Sequence, residues 1–259
     1  MSRALLRSEL LKLRSLPSTY VVIVVAVAVG LGVGVLEMSS TAHHWAELDP
    51  QDRAAFDPVG DSFSGFQFAE LAFGALGVLV VTAEYATGTI RSTLVASPRR
   101  LRVYAAKVAV LIVLVLPICG ASAFVAFVLG QHAVKERHLD VALSGPHVLR
   151  AVLGAGAYMV VVILVGFGLG AIIRHTAGSL TVMFAMVFLA WPVARAVESL
   201  SYVPDRWLLV NAADALVSTH RPTGPNGPRT PSVLMACLEL ATFVVVLLSA
   251  GAWRANRDM

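Results

Sequence analysis

The stretch YVVIVVAVAVGLGVGVL, residues 20–36, contains no charged residue. A helix of roughly 17–25 apolar residues crosses the hydrocarbon core of a bilayer, where the backbone must satisfy its own hydrogen bonds. The run is longer than the apolar region of an ordinary signal peptide (~7–15 residues), and no A-x-A cleavage pattern follows it. We therefore expect a retained membrane-spanning helix here.

The composition extends this interpretation to the whole chain. Of its 259 residues, 57% are hydrophobic and 14% are charged, with a mean hydropathy of +0.76. A soluble domain carries about 25% charged residues. The alternating pattern of a membrane β-barrel is absent, so we predict one all-α, polytopic domain over residues 1–259. Its six predicted spans are 19–36, 66–83, 108–129, 149–173, 180–197 and 233–253.

The basic residues are unevenly distributed among the segments between the spans. With the N-terminus in the cytoplasm, the inner segments contain 12 of the 20 basic residues but three of the 16 acidic ones. This is the positive-inside distribution. It predicts that both termini are cytoplasmic and that residues 84–107 form the main inner loop. It also accounts for the net charge of +4 without a basic nucleic-acid-binding face, so nucleic acid is not an expected partner.

The segment before the first span, MSRALLRSELLKLRSLPSTY, is amphipathic. As a helix over residues 1–17, ended by Pro17, it has a leucine stripe beside an arginine stripe. This pattern is typical of a helix in the inner membrane interface, with leucines in lipid and arginines at anionic headgroups. An ordinary basic flank of the first span is the alternative. The two stripes are Leu6, Leu10 and Leu13, and Arg3, Arg7 and Arg14.

The sequence contains no recognisable catalytic or metal-binding constellation. No G-x-x-x-x-G-K-[ST] motif is present for ATP. The glycine-rich stretches GLGVG (30–34) and GFGLG (166–170) lie inside predicted spans, where glycine permits close helix packing. All seven histidines fall in loops or flanks, which disfavours an intramembrane protease. Cys119 and Cys237 lack metal-ligand spacing. We expect no enzymatic activity, no cofactor and no metal in this chain.

Three ionisable residues fall within predicted spans, where each is costly in lipid. Glu70 lies early in the second span, Arg195 late in the fifth and Glu239 in the sixth, all in the predicted outer half of the membrane. They are candidates for the lining of a translocation pathway, with Arg195 paired to Glu70 or Glu239. Interhelical salt bridges and snorkelling to the outer interface are the alternatives.

The inner loop begins EYATGTIRSTLVASPRRLRVYAAK, residues 84–107. Ile90 and Leu94 are four residues apart and therefore share one face of a short helix. Ser97 and Pro98 are suited to starting the next helix. The positive-inside rule by itself explains the arginines of this loop. It does not explain the apolar pair Ile90 and Leu94 or the new helix start at Ser97 and Pro98. The pattern predicts an apolar knob suited to docking in another protein's groove.

The chain resembles the permease subunit of an ATP-binding-cassette exporter of the second permease type (ABC-2 family). The resemblance rests on SELLKLRSLPSTY before the first span, on the loop motif E-x-x-x-G-T-x-R…L…S-P-x-R…K, and on six spans with a long outer segment before the last. The resemblance implies that the loop after the second span is a coupling helix that inserts into a separate ATPase subunit. The coupling residues carried over are Glu84, Gly88, Thr89, Ile90, Arg91 and Leu94.

The same resemblance implies the partners and the location of the chain. Two permease chains, identical or different, work with two ATPase subunits, which bind ATP and Mg²⁺. The location implied is the cytoplasmic membrane of a bacterium, and residues 198–232 correspond to a re-entrant or hairpin region near the exit. A secondary transporter or channel, and a non-transporting scaffold or immunity subunit, are the alternatives. The substrate cannot be inferred from the sequence.

Overall fold

The computed structural model describes residues 3–15, 17–90, 99–189, 192–193, 209–219, 223–224, 227–228 and 231–257. Helices dominate this part of the chain, as the predicted fold class requires. The α-helices are α1 (Arg3–Ser15), α2 (Pro17–His43), α3 (Pro50–Ala55), α4 (Phe66–Ala86), α5 (Arg100–Val134), α6 (Val148–Ile173), α7 (Thr176–Phe184), α8 (Leu209–Val217) and α9 (Val233–Arg257).

Shorter elements occupy the connections. The 3₁₀ helix Asp61–Phe63 lies between α3 and α4, the 3₁₀ helix Lys135–Arg137 follows α5, and the π-helix Ala185–Leu189 continues α7. Two strands of two residues each, β1 (Thr223–Gly224) and β2 (Gly227–Pro228), pair in an antiparallel arrangement.

Five helices of the described chain are long and apolar enough to cross a membrane. They contain five of the six predicted spans and extend several of them, the first to His43 and the third back to Arg100. The predicted span 180–197 coincides with the shorter apolar helix Thr176–Leu189. Residues 190–191 and 194–208 lie outside the described residues, so the count of six remains a prediction. The five helices are Ser18–His43, Phe66–Ala86, Arg100–Arg137, Val148–Ile173 and Val233–Arg257.

The centre of the bundle is the contact between α4 and α6, which approach closely because glycines line both helices. A Cβ atom on Gly77 would overlap the carbonyl oxygen of Ile163, and one on Gly166 would overlap that of Gly74. Gly166 belongs to the stretch GFGLG, so its predicted role in close helix packing is confirmed.

The second glycine-rich stretch, GLGVG, has the same role where α2 meets the start of α4. A Cβ on Gly30 would lie 2.9 Å from the ring of Phe66, and one on Gly34 would lie 3.2 Å from the Ser62 carbonyl oxygen. A side chain on Gly65 would overlap the backbone of Gly30. The packing prediction is therefore confirmed for Gly30 and Gly34 of this stretch, whereas Gly32 meets no atom within 4 Å.

The predicted orientation of the N-terminal helix is wrong in one respect. Leu13 is buried, and Leu6 and Leu10 are half-buried against the protein core rather than facing lipid. Glu9 lies on the same face of α1 and is bonded to α5, so the leucine stripe packs on the protein. Leu11, by contrast, is 59% exposed and faces away from the protein core.

Candidate functional site

A cluster of four charged side chains joins three elements at one end of the bundle. The Lys107 ammonium donates to Glu9 Oε2 at 2.6 Å and to Glu84 Oε1 at 2.5 Å. The Lys12 ammonium donates to Glu9 Oε1 at 2.9 Å and to Glu84 Oε1 at 3.2 Å. The cluster thereby connects α1, the C-terminal end of α4 and the first turns of α5.

The cluster balances its own charge, with two carboxylates and two ammonium groups. The side chains of Glu9 and Lys107 are 3% and 7% exposed, and a buried charge is tolerated only when it is paired and hydrogen-bonded. Burial by itself lowers the pKa of Lys12, but its hydrogen bond to Glu9 and the charge of Glu84 outweigh this and raise that pKa above its ordinary value. The four groups therefore form one hydrogen-bonded network in which each carboxylate accepts from both ammonium groups.

The predicted coupling segment follows directly from this cluster. Helix α4 ends at Ala86, and Gly88 then adopts a φ of 71°, a conformation that favours glycine over other residues. The Thr87 hydroxyl donates to the Ala83 carbonyl at 2.8 Å and bonds to the Thr89 hydroxyl. The backbone is helical again at residues 89–90. The helix of the second predicted span is therefore interrupted at Thr87 and Gly88.

Ile90 is half-buried and lines an internal cavity rather than standing fully exposed. Its predicted partner on the helix face, Leu94, and the predicted coupling residue Arg91 lie outside the described residues, as do Ser97 and Pro98. The docking role of this segment thus remains a prediction, whereas its attachment to the charge cluster through Glu84 is observed.

The cavity beside this segment has a volume of about 670 Å³ and lies between the ends of α4, α5, α6 and α9. Tyr104 crosses from α5 to α9 by donating its hydroxyl to the Leu248 carbonyl at 3.0 Å. Arg174 caps α6 in a left-handed conformation and donates to the Arg254 carbonyl at 3.1 Å. The N-terminal helix and the end of α9 therefore lie at the same end of the bundle as residues 84–90 and the start of α5.

Glu70, which the sequence predicts to lie in the outer half of the membrane, is buried on α4, at 3% exposure. It interacts electrostatically with the Tyr158 hydroxyl on α6 and with Asp214 on α8. In the described part of the chain, neither Glu70 Oε2 nor the Tyr158 hydroxyl has a hydrogen-bond partner. Glu70 thus interacts with Tyr158 of α6, whereas Asp214 of α8 is an exposed residue that acts on it only through its charge; the sequence indicated only Glu70.

Of the other two candidates for a translocation pathway, the structure describes one. Glu239 is buried on α9 at 6% exposure, and its Oε1 atom has no hydrogen-bond partner in the described residues. Arg195 lies outside them, so its predicted pairing with Glu70 or Glu239 stays a prediction.

At the end of the bundle opposite the charge cluster, Asp57 joins the loop between α3 and α4 to the chain just after α8. Its carboxylate accepts hydrogen bonds from the Thr219 backbone N–H at 2.5 Å, the Thr219 hydroxyl at 2.7 Å and the Val59 N–H at 3.1 Å. Partial removal from water, with the charges of Asp57 and further acids, raises the pKa of Asp61 to about 6. Sequence reasoning missed this fastening because 162 positions separate the partners.

Gln131, near the end of α5, holds the same outer loop from the other side. Its amide nitrogen donates to the Pro58 carbonyl at 2.7 Å and to the Ser62 hydroxyl at 3.0 Å. Its amide oxygen accepts from the Val141 N–H at 2.8 Å. No sequence signal marked this glutamine, which is buried within a helix end.

Replacing Asp57 with alanine is expected to lower the melting temperature of the purified protein. The change leaves the Thr219 and Val59 N–H groups without their carboxylate, which costs about 1–3 kcal/mol when a buried donor loses its partner. Thermal unfolding followed by circular dichroism measures the effect. Asp140→Ala, the same change at an exposed outer position, is the control, and equal melting temperatures for both variants would contradict the prediction.

The described residues contain no group of three or more histidine, cysteine, aspartate or glutamate side chains that could hold a metal ion.

Residues 5–190 match the family model described as ABC-2 family transporter protein. No curated protein matches the chain. The matched range includes α1, the charge cluster and the loop after α4.

Proposed function

The chain belongs to the ABC-2 family of transporter proteins, and we propose that it is the membrane-spanning permease subunit of an ATP-driven exporter. Membership of the family implies a multi-pass membrane protein that works with an ABC ATPase subunit. The sequence carries no phosphate-binding loop, so free energy reaches this chain through contact with that subunit. We place the assembly in a bacterial cytoplasmic membrane, with two ATPases and a second permease chain.

The observation that supports coupling is the attachment of residues 84–90 to the rest of the bundle. Glu84 is the last charged residue of α4, and Lys107 joins it to α5 and, through Glu9, to α1. A force applied to the loop by a docked ATPase therefore acts on three elements together. A bound partner shifts a conformational equilibrium only by its different affinity for the two states, and a docked loop supplies such a difference.

In this proposal the six residues carried over from the family motif form the coupling element, and buried polar residues of the outer half line the translocation pathway. Glu70 and Glu239, together with Arg195, were assigned to the pathway from the sequence. The electrostatic interaction of Glu70 with Tyr158 supports extending the pathway to α6. The coupling residues are Glu84, Gly88, Thr89, Ile90, Arg91 and Leu94.

The variant Ile90→Asp/Leu94→Asp is expected to abolish association with the ATPase subunit while membrane insertion is retained. Two charges on the docking face would be buried against the partner without compensation, and a buried unpaired charge costs several kcal/mol. The test purifies the tagged chain from its native membranes and identifies the ATPase in the eluate by mass spectrometry.

Leu143→Asp is the matched control for this experiment, because Leu143 is a 40% exposed leucine in the second outer loop. It makes the same chemical change on the opposite side of the bundle and is expected to leave association intact. An ATPase recovered equally with the double variant would exclude the coupling role. Transport in proteoliposomes that contain no ATPase would favour a secondary transporter instead.

A further inference from the structure

Glu70 is an acidic residue in the interior of the helical bundle. It is 3% exposed, and within the described part of the chain its Oε2 atom has no hydrogen-bond partner. The ion pairs observed among the described residues are formed by other side chains. A buried carboxylate is tolerated when it is paired and hydrogen-bonded, and otherwise the carboxyl group becomes neutral by taking up a proton.

Glu70 lies one helical turn before Gly74, where α4 packs closely against both α6 and α7. A Cβ atom on Gly74 would overlap the side chain of Met183 on α7, and one on Gly166 of α6 would overlap the Gly74 carbonyl oxygen. Tyr158 lies two turns before Gly166, is likewise 3% exposed and interacts electrostatically with Glu70 through its hydroxyl. The carboxyl group of Glu70 is therefore enclosed by closely packed helices.

The helices packed on α4 are α2, α6 and α7, and they bring no described cation to this level. Helix α2 has its titratable residues near its two ends, and α7 with its π-helical continuation has none. Helix α6 has no charged residue between positions 151 and 173.

The charged groups nearest along the sequence of the neighbouring helices do not compensate Glu70 either. Arg150 lies two turns before Tyr158 on α6 and donates to two backbone carbonyls at the C-terminal end of α8. Asp214 of α8 acts on Glu70 through its charge, and like charges disfavour a second carboxylate. Glu37 on α2 is an exposed acid. The described surroundings therefore favour a neutral carboxyl group.

We propose that Glu70 is a proton-binding site, protonated at neutral pH while α4, α6 and α7 are packed together and deprotonated to water when they separate. The neutral carboxyl gains an O–H donor, for which the Tyr158 hydroxyl is a suitable acceptor. Acidic side chains inside membrane helices commonly serve ion pathways and proton relays. The role of the site rests on the proposed function, in which Glu70 lines the translocation pathway. Opening that pathway then releases a proton and leaves a carboxylate facing the substrate.

The first measurement is the infrared difference spectrum between wild type and Glu70→Gln, with the full-length chain purified in detergent at pH 7. The carbonyl stretch of a protonated carboxyl group is expected in wild type and is expected to be lost in the variant. Glutamine has the shape of the neutral acid, so the variant is expected to fold. Glu37→Gln makes the same change at an exposed glutamate of α2 and is expected to remove a carboxylate band instead.

The second measurement counts the protons released when each protein is unfolded by heat in a weakly buffered solution at pH 7, with a pH-indicator dye. A glutamate in an unfolded chain is ionised at this pH. Wild type is therefore expected to release about one proton per chain more than Glu70→Gln. Because the native state binds this extra proton, the melting temperature of wild type is expected to fall relative to that of Glu70→Gln as the pH rises. Glu37→Gln is expected to behave like wild type.

Two results would overturn the proposal. One is a difference spectrum in which Glu70→Gln removes a carboxylate band, and the other is equal proton release from wild type and Glu70→Gln. Both are expected if Glu70 is ionised and paired with Arg195, which lies outside the described residues. Neither measurement requires transport or an ATPase subunit. Their failure is therefore distinguishable from failure of the proposed function, which the Ile90 and Leu94 variant tests.

Discussion

Replacing Lys107 with methionine is expected to destabilise the protein by about 3–5 kcal/mol, the cost of leaving a buried charge without its partner. The lysine ammonium is the closest partner of both Glu9 and Glu84, and methionine preserves only the length of the side chain. The two carboxylates would then share Lys12, whose side chain is 36% exposed. The measurements are the melting temperature in detergent and the rate at which a protease cleaves the peptide bonds near Pro17.

Two further variants make the Lys107 prediction specific. Lys135→Met removes a lysine from an exposed 3₁₀ turn of the outer loop and is expected to leave the melting temperature unchanged. Lys107→Met/Glu9→Gln restores neutrality to the cluster and is expected to recover part of the loss. If Lys107→Met melts like Lys135→Met, the cluster contributes nothing to the attachment of α1.

The second large effect is expected from Gly166→Val, which places a branched side chain in the contact between α4 and α6. Its Cβ atom would overlap the carbonyl oxygen of Gly74. Because this oxygen belongs to the backbone, it cannot move aside as the end of a flexible side chain can. Overpacking of a core costs about 1–3 kcal/mol where side chains can adjust, so a larger cost is expected here. The amount of folded protein recovered by size-exclusion chromatography is the measurement.

Gly32→Val is the control for this variant, because it makes the same glycine-to-valine change within a spanning helix. A Cβ at Gly32 meets no atom within 4 Å, and valine is stable in a helix that faces lipid. The control is expected to yield folded protein in wild-type amounts. Recovery of Gly166→Val in the same amount would show that α4 and α6 can separate without loss of the fold.

Several features were predictable because their signals are local. Runs of about 20 apolar residues identify spanning helices, and five of them coincide with observed helices. Glycine within such a run predicts close packing, and Gly166 confirms it. The predicted second span, 66–83, lies within the observed helix Phe66–Ala86. Each of these inferences depends on residues within one stretch of about 25 positions.

Other features were not predictable because they depend on which helix faces lie together. The amphipathic pattern of α1 was correct, but a hydrophobic stripe is equally compatible with lipid and with protein. The sequence therefore predicted lipid contact for Leu13, which packs on the core. Likewise, Glu70 was recognised as an intramembrane acid, whereas its neighbours Tyr158 and Asp214 carried no distinguishing pattern.

The sequence by itself determined that this is a polytopic helical membrane protein and which loop is the candidate for coupling, because length, hydropathy and charge act along the chain. The tertiary structure decided which polar groups meet. Lys107 lies 98 positions from Glu9, and Asp57 lies 162 from Thr219. A buried charge must find its partner wherever the packed helices place one, and that position is set by the whole bundle rather than by neighbouring residues.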